Sequence, residues 1–280
     1  MRRFWFALVP GGYLIRSRLA GRTARISWFL INPVVIGIAA AWVTTSPFPA
    51  FMLAFVLAFL AWQSVYEVGY LENDIQTVKW ESSPTLRLSP DNHRSLEERY
   101  DLVVGIKWLV AALLLVALAS LDAQGVVSFD VVVFTALLGV TRLAFRAHNT
   151  LRTRANIATY FALAGFKYVA LPVGFNDSES TLLLVAVLCL AFPTVRTIEH
   201  ACKLKYGFPT LVHWVGDFHR FRLGYYLALS AVLGFASILT QNSILTLGAL
   251  IAVYLIAVRV AAYVVSRRHA PEKPEAYRWD

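Results

Sequence analysis

Residues 101–121, DLVVGIKWLVAALLLVALASL, decide the fold class. From Trp108 to Leu121 this stretch carries no charge, and its apolar residues surround any helix built from it rather than forming one stripe. A helix needs about 20 largely apolar residues to cross about 30 Å of hydrocarbon. Blocks of that length recur at about 27–46, 49–73, 125–144, 156–174, 180–200, 222–240 and 243–265. With 58% hydrophobic and 15% charged residues, the chain lacks the polar surface a soluble domain of this length needs. Backbone amides in lipid must be satisfied internally, which helices do. The expected fold is therefore all-α, a polytopic transmembrane bundle of about eight to nine helices.

The formal net charge of +9 is distributed by topology. With the N-terminus inside, the inner segments hold Arg2–Arg25, Lys79–Arg99, Arg142–Arg154, Arg196–Arg222 and Arg267–Arg278. The outer turns near Ser46, Asp122, Asp177 and Gln241 hold no Lys or Arg. This is the positive-inside bias, and it sets both termini in the cytoplasm, with a bacterial inner membrane as the expected location. The basicity suits anionic lipid as a partner, and no basic groove motif points to nucleic acid. No small-residue cleavage site follows Met1-Arg2-Arg3, so no secretory signal is expected. Residues 1–26 read as a basic amphipathic segment on the membrane surface, 27–266 as the transmembrane domain, and 267–280 as a cytoplasmic tail. Cys189 and Cys202 sit in or at the inner end of one span and offer no outer disulfide.

The two longest inner loops follow the second and sixth spans, equivalent places in two four-helix halves. In the first, Glu67, Asp74 and Glu81 are seven residues apart and share one face of a continuing helix. Carboxylates so placed repel unless a cation joins them, and two or three of them with substrate phosphates describe a magnesium site. The plainer reading pairs Glu67 with Lys107 or Lys167 across helices. In the second loop, Arg196, Glu199, His200 and Lys203 share one helical face, which equally suits an interfacial helix end. Lys167 is a site candidate, while Lys107 and Arg259 read as snorkelling cations. His213, Asp217 and His219 fit no zinc spacing.

From Asn73-Asp74 onward the sequence resembles the UbiA-type superfamily of membrane prenyltransferases. That family carries N-D-x-x-D-x-x-x-D after its second transmembrane helix and a second acidic motif after its sixth. Here the first motif reads Asn73, Asp74, Thr77 and Glu81, and the second keeps Glu199 with Lys203 where an Asp is common. The stretch Asn73-Asp74…Ser83-Pro84-Thr85-Leu86-Arg87 looks like the branch that transfers phosphoribose from phosphoribosyl diphosphate to a polyprenyl phosphate. The resemblance implies a diphosphate donor, a polyprenyl lipid substrate and Mg²⁺. It implies Asp74 and Glu199 as catalytic residues, with Glu67, Asp74 and Glu81 as metal ligands. Asn73, Lys79, Arg87, Lys167, Arg196 and Lys203 would bind diphosphate. A donor and acceptor that together bring three phosphate-bearing groups need more Lys and Arg per carboxylate than a prenyl diphosphate alone. The alternatives are a prenyltransferase acting on an aromatic or lipid acceptor and a non-catalytic protein on a decayed transferase scaffold. Under both enzyme readings, Glu67, Asp74, Arg196, Glu199 and Lys167 are expected to line one cytoplasmic cavity, with Lys79, Arg87 and Lys203 at its rim.

Overall fold

A computed structural model describes residues 4–19, 21–80, 87–151, 153–176 and 180–269, with side chains to 264. Its elements are all helices or helical turns. Eight are long and apolar enough to cross a membrane: Arg22–Val43, Phe48–Trp80, Tyr100–Ala123, Val131–Thr150, Asn156–Gly174, Thr181–Ala201, Phe218–Thr240 and Ser243–Val264. The eighth helix continues to His269, slightly past the expected boundary of the tail. Most of the tail lies outside the described residues, as does Glu81.

Six of the spans begin and end within about five residues of their expected places, and the second runs on to Trp80 rather than ending near 73. The fourth starts about six residues later than the apolar block at 125–144. Gly125, at φ +67°, turns the chain out of the third span. Val127 and Phe129 then bury themselves in the core outside any helix. Asp130 caps the helix, its carboxylate accepting from the Val133 amide at 2.9 Å. Apolarity alone does not separate a buried turn from a helix start.

Consecutive spans pair as antiparallel neighbours, most extensively the second with the third, the fourth with the fifth, and the seventh with the eighth. The eighth also packs on the first, which closes the bundle. One aromatic and aliphatic core runs through it, from Phe51 and Trp62 on the second span to Phe192 on the sixth and Tyr226 on the seventh.

Two spans contain a π-helical bulge around a proline, Leu30–Val34 with Pro33 and Leu190–Thr194 with Pro193. Proline cannot donate to the helical ladder and crowds the preceding turn, and a bulge relieves both. Each bulge leaves a carbonyl to be satisfied in an apolar setting. Tyr254 donates to the Leu30 carbonyl at 3.0 Å, and Tyr225 to the Leu190 carbonyl at 2.6 Å. A tyrosine from a neighbouring span thus completes each bulge.

In the N-terminal segment, the short helix Gly12–Ser17 packs against the second span, with Tyr13 and Leu14 buried. The cause is Glu67. This carboxylate is fully buried and accepts from the Leu14 amide at 2.7 Å and from Lys107 at 2.6 Å. Lys107 also donates to the Val9 carbonyl at 3.3 Å. Lys107 therefore does not snorkel, and the plainer reading of Glu67 is the one the structure realises. Removing one member of a buried pair strands the other charge and typically costs about 3–5 kcal/mol. We expect Lys107→Met to lower the thermal midpoint of the detergent-solubilised protein sharply. Adding Glu67→Gln should restore most of the loss, read by the same melt.

Candidate functional site

The C-terminal ends of the second and sixth spans meet across a cavity of about 520 Å³. Six Lys and Arg side chains line it: Arg18, Arg87, Lys167, Arg196, Lys203 and Lys205. Among the described residues, Glu199 is the only carboxylate that lines it.

Asp74 stands behind this lining. The second span passes into a π-helical segment at Glu72–Gln76 and then a 3₁₀ turn at Thr77–Trp80, so the regular face expected for Glu67, Asp74 and Glu81 is broken. Asp74 accepts from Tyr13 at 2.7 Å, from Arg18 at 2.6 and 3.0 Å, from Arg87 at 3.0 Å and from Asn73 at 3.1 Å. Burial, and then the adjoining carboxylate, pushes the Tyr13 phenol far above its ordinary range, which keeps it a proton donor. Arg18 also lies 3.9 Å over the Tyr70 ring. Asp74 thereby fixes two arginines whose guanidinium groups reach the cavity.

Glu199 repeats the pattern one half-bundle later. Arg196, one turn earlier, donates to it at 2.6 Å. Arg222 from the seventh span makes two bonds to the same carboxylate, one to each oxygen. Beside it, His200 stacks on Tyr160 with centroids 4.0 Å apart, and its Nε2 lies 2.7 Å from the Tyr206 hydroxyl. Tyr206 donates to the Asn156 side-chain carbonyl at 2.7 Å. Burial, and then Tyr160, pushes the Tyr206 phenol up to about 12.

The structure therefore gathers Asn73, Arg87, Lys167, Arg196, Glu199 and Lys203 at one cavity. It does not place Glu67 there, because the buried carboxylate is held by Lys107 and Leu14. Lys79 is also elsewhere: it reaches Glu97 at 2.6 Å and holds that carboxyl below its usual range. Arg87 and Lys203 belong to the lining itself rather than to an outer rim. Arg259 lines a neighbouring cavity instead of snorkelling.

Sequence reasoning missed Arg18, Tyr13, Asn156, Tyr160 and Tyr206. Arg18 belongs to a basic segment of a kind common at membrane surfaces, and nothing in its spacing links it to Asp74. The aromatic residues looked like interfacial anchors.

Magnesium takes oxygen ligands in near-octahedral geometry, usually one or two carboxylates with phosphate and water. Among the described residues, no three His, Cys, Asp or Glu side chains converge. Both oxygens of Asp74 already accept protein donors, and Glu199 is enclosed by two arginines. Glu81, the third expected ligand, lies outside the described residues.

No family model, characterised protein or solved structure matches the chain.

Burial, and then the neighbouring Lys205, Arg87 and Arg196, pushes Lys203 down to about 8. Its cationic form, which attracts an anion, is present below that pH and lost above it. Pyrophosphate affinity should therefore fall as pH rises through about 8. Because pyrophosphate also titrates, the check is a comparison of calorimetric pH profiles. Lys203→Arg stays charged throughout and should flatten the part due to the protein.

Proposed function

We propose that this chain is a membrane transferase that takes a diphosphate donor into the cationic cavity, most consistently phosphoribosyl diphosphate, and passes the sugar phosphate to a polyprenyl phosphate. The observation that carries this reading is the balance of charge. Six cations face the cavity with one carboxylate, and the nearby acids hold arginines in place. A site that handled a diphosphate mainly through carboxylate-bound metals would present acids to the ligand. This one presents guanidinium and ammonium groups, which bind phosphate directly. The resemblance around Asn73-Asp74 and Arg87 to the UbiA-type phosphoribosyl branch agrees in substrate class.

In the reaction proposed, an acceptor phosphate oxygen bonds to the anomeric carbon as the bond from that carbon to the pyrophosphate oxygen breaks. The electron pair leaves with pyrophosphate. Arg18, Arg87 and Arg196 stabilise that growing negative charge. Asp74 and Glu199 act as positioning residues, each fixing a pair of arginines. Magnesium enters this scheme only as a companion of the diphosphate, as part of the substrate.

A second reading is favoured by the aromatic wall of the same cavity, where Tyr66, Tyr70, Phe145, Tyr160 and Tyr168 face the cations. Such rings stabilise a developing carbocation and stack on aromatic acceptors, which suits a prenyltransferase.

Donor choice separates the readings. Purified protein given phosphoribosyl diphosphate and a polyprenyl phosphate is expected to release pyrophosphate. Arg87→Ala should lower kcat/KM by about 10²–10³-fold, the scale of one lost donor at a developing charge. Consumption of prenyl diphosphates alone would move the assignment to the second reading. Turnover of neither donor, with no stabilisation by pyrophosphate, would leave a non-catalytic membrane protein.

A further inference from the structure

A second cavity of about 360 Å³ adjoins the first. The two share Lys167, Tyr168 and Arg196 as a common wall. Every residue lining the second cavity belongs to one of the membrane-crossing helices, the first, fifth, sixth or eighth. The first cavity differs in this respect, since loop residues such as Arg87 and Lys205 help to form it.

Among the described residues, the lining contains three cations, Lys167, Arg196 and Arg259, and no carboxylate. Arg196 is held by Glu199. Lys167 has only ring contacts, its ammonium 6.0 Å from the Trp28 centroid and 5.8 Å from that of Tyr168. The Nε of Arg259 is buried with no hydrogen-bond partner. The hydroxyl of Tyr226, on the adjacent seventh span and within electrostatic range of Arg259, is also buried without one. Unpaired cations at membrane depth are costly, and such groups ordinarily face an anion.

We propose that the second cavity binds the headgroup of a membrane lipid ending in a phosphomonoester. Two cations without a carboxylate match a dianion, whereas a phosphodiester headgroup brings one negative charge. The lipid origin follows from the lining. All of it comes from membrane-crossing helices, whose outward faces meet lipid. Trp28 and Ile31 supply the apolar surface for the start of its chain, and Ile26 and Phe29 are exposed on the same helix. Binding of this lipid does not depend on the transferase reading. Its role as acceptor does rest on that reading, and the shared wall would then set its phosphate beside the donor.

The test uses the full-length protein in nanodiscs of phosphatidylcholine with added phosphatidic acid as the phosphomonoester probe. Retained lipid is read by native mass spectrometry, and soluble inorganic phosphate serves as a separate competitor. Wild type is expected to retain phosphatidic acid in preference to phosphatidylcholine. Arg259→Gln and Lys167→Gln should each weaken retention about tenfold, the scale of one charge-assisted bond, and Arg259→Lys should recover part of it. Arg87→Gln, which alters only the first cavity, should bind pyrophosphate poorly and keep phosphatidic acid. Equal retention in wild type and both glutamine variants would overturn the proposal. Competition by inorganic phosphate at the affinity of the lipid would overturn the lipid assignment in favour of a soluble anion. Wild type that retains the lipid but does not bind pyrophosphate would count against the transferase reading alone. A thermal melt of each variant separates lost binding from lost folding, and Arg259→Lys keeps charge and bulk if the glutamine variant unfolds.

Discussion

The Asp74 carboxylate holds three parts of the chain together. Tyr13 and Arg18 reach it from the N-terminal segment, Asn73 from the end of the second span, and Arg87 from the loop that follows. An ionised carboxylate in so dry a place needs donors, and it draws them from wherever the chain can supply them. The consequence is that the acid is shielded and the arginines line the cavity. Glu199 does the same for Arg196 and Arg222. The two halves of the bundle are thus related less by sequence than by a common device, in which one acid after the second helix of each half orients two guanidinium groups.

That device inverts the roles expected from the motif. Spacing at 67, 74 and 81 pointed to acids gathered around a metal, whereas Glu67 and Asp74 take protein donors instead. Glu67 still faces the same way as Asp74 in one respect, since both grip the N-terminal helix, at Leu14 and Tyr13. The shared face is therefore real, and its partner is the chain's own N-terminal segment. That segment carries Arg18 into the cavity wall, so the anchoring of a piece that looks peripheral bears directly on the charge of the site.

What was legible in the sequence follows from the range of each force. Hydrophobic block length acts locally, so the eight spans could be read, although the second runs on to Trp80 and the fourth is displaced, where Asp130 rather than apolarity marks the start. The convergence of Arg87, Lys167, Arg196, Glu199 and Lys203 was legible from topology, because the C-terminal ends of two equivalent spans meet. Long-range pair choice was not. Lys79 lies near several acids in sequence and selects Glu97, and Glu67 selects Lys107 forty residues away. These choices depend on which side chains packing brings within hydrogen-bond distance. The pairing of Leu14 with Glu67 uses a backbone amide, which leaves no mark in residue type at all.

The bulges explain why the functional ends point inward. A π-turn adds one residue to a helix and so rotates everything after it by about 100°. The Leu190–Thr194 bulge lies just before Arg196, Glu199 and His200. In an uninterrupted helix those three would be turned by about that angle from their present direction. The bulge persists because Pro193 disfavours the regular ladder and because Tyr225 satisfies the Leu190 carbonyl. The Glu72–Gln76 segment likewise alters the register at Asp74 without any proline. There the compensation comes from Asp74 itself, whose bonds to Tyr13, Arg18 and Arg87 hold the wider turn in place. One bulge is thus imposed by covalent structure and completed by a neighbouring tyrosine, and the other is held by the ion pairs it creates. The second is the more easily altered of the two, since an incoming anion competes for Arg18 and Arg87, the same guanidinium groups that keep it wound.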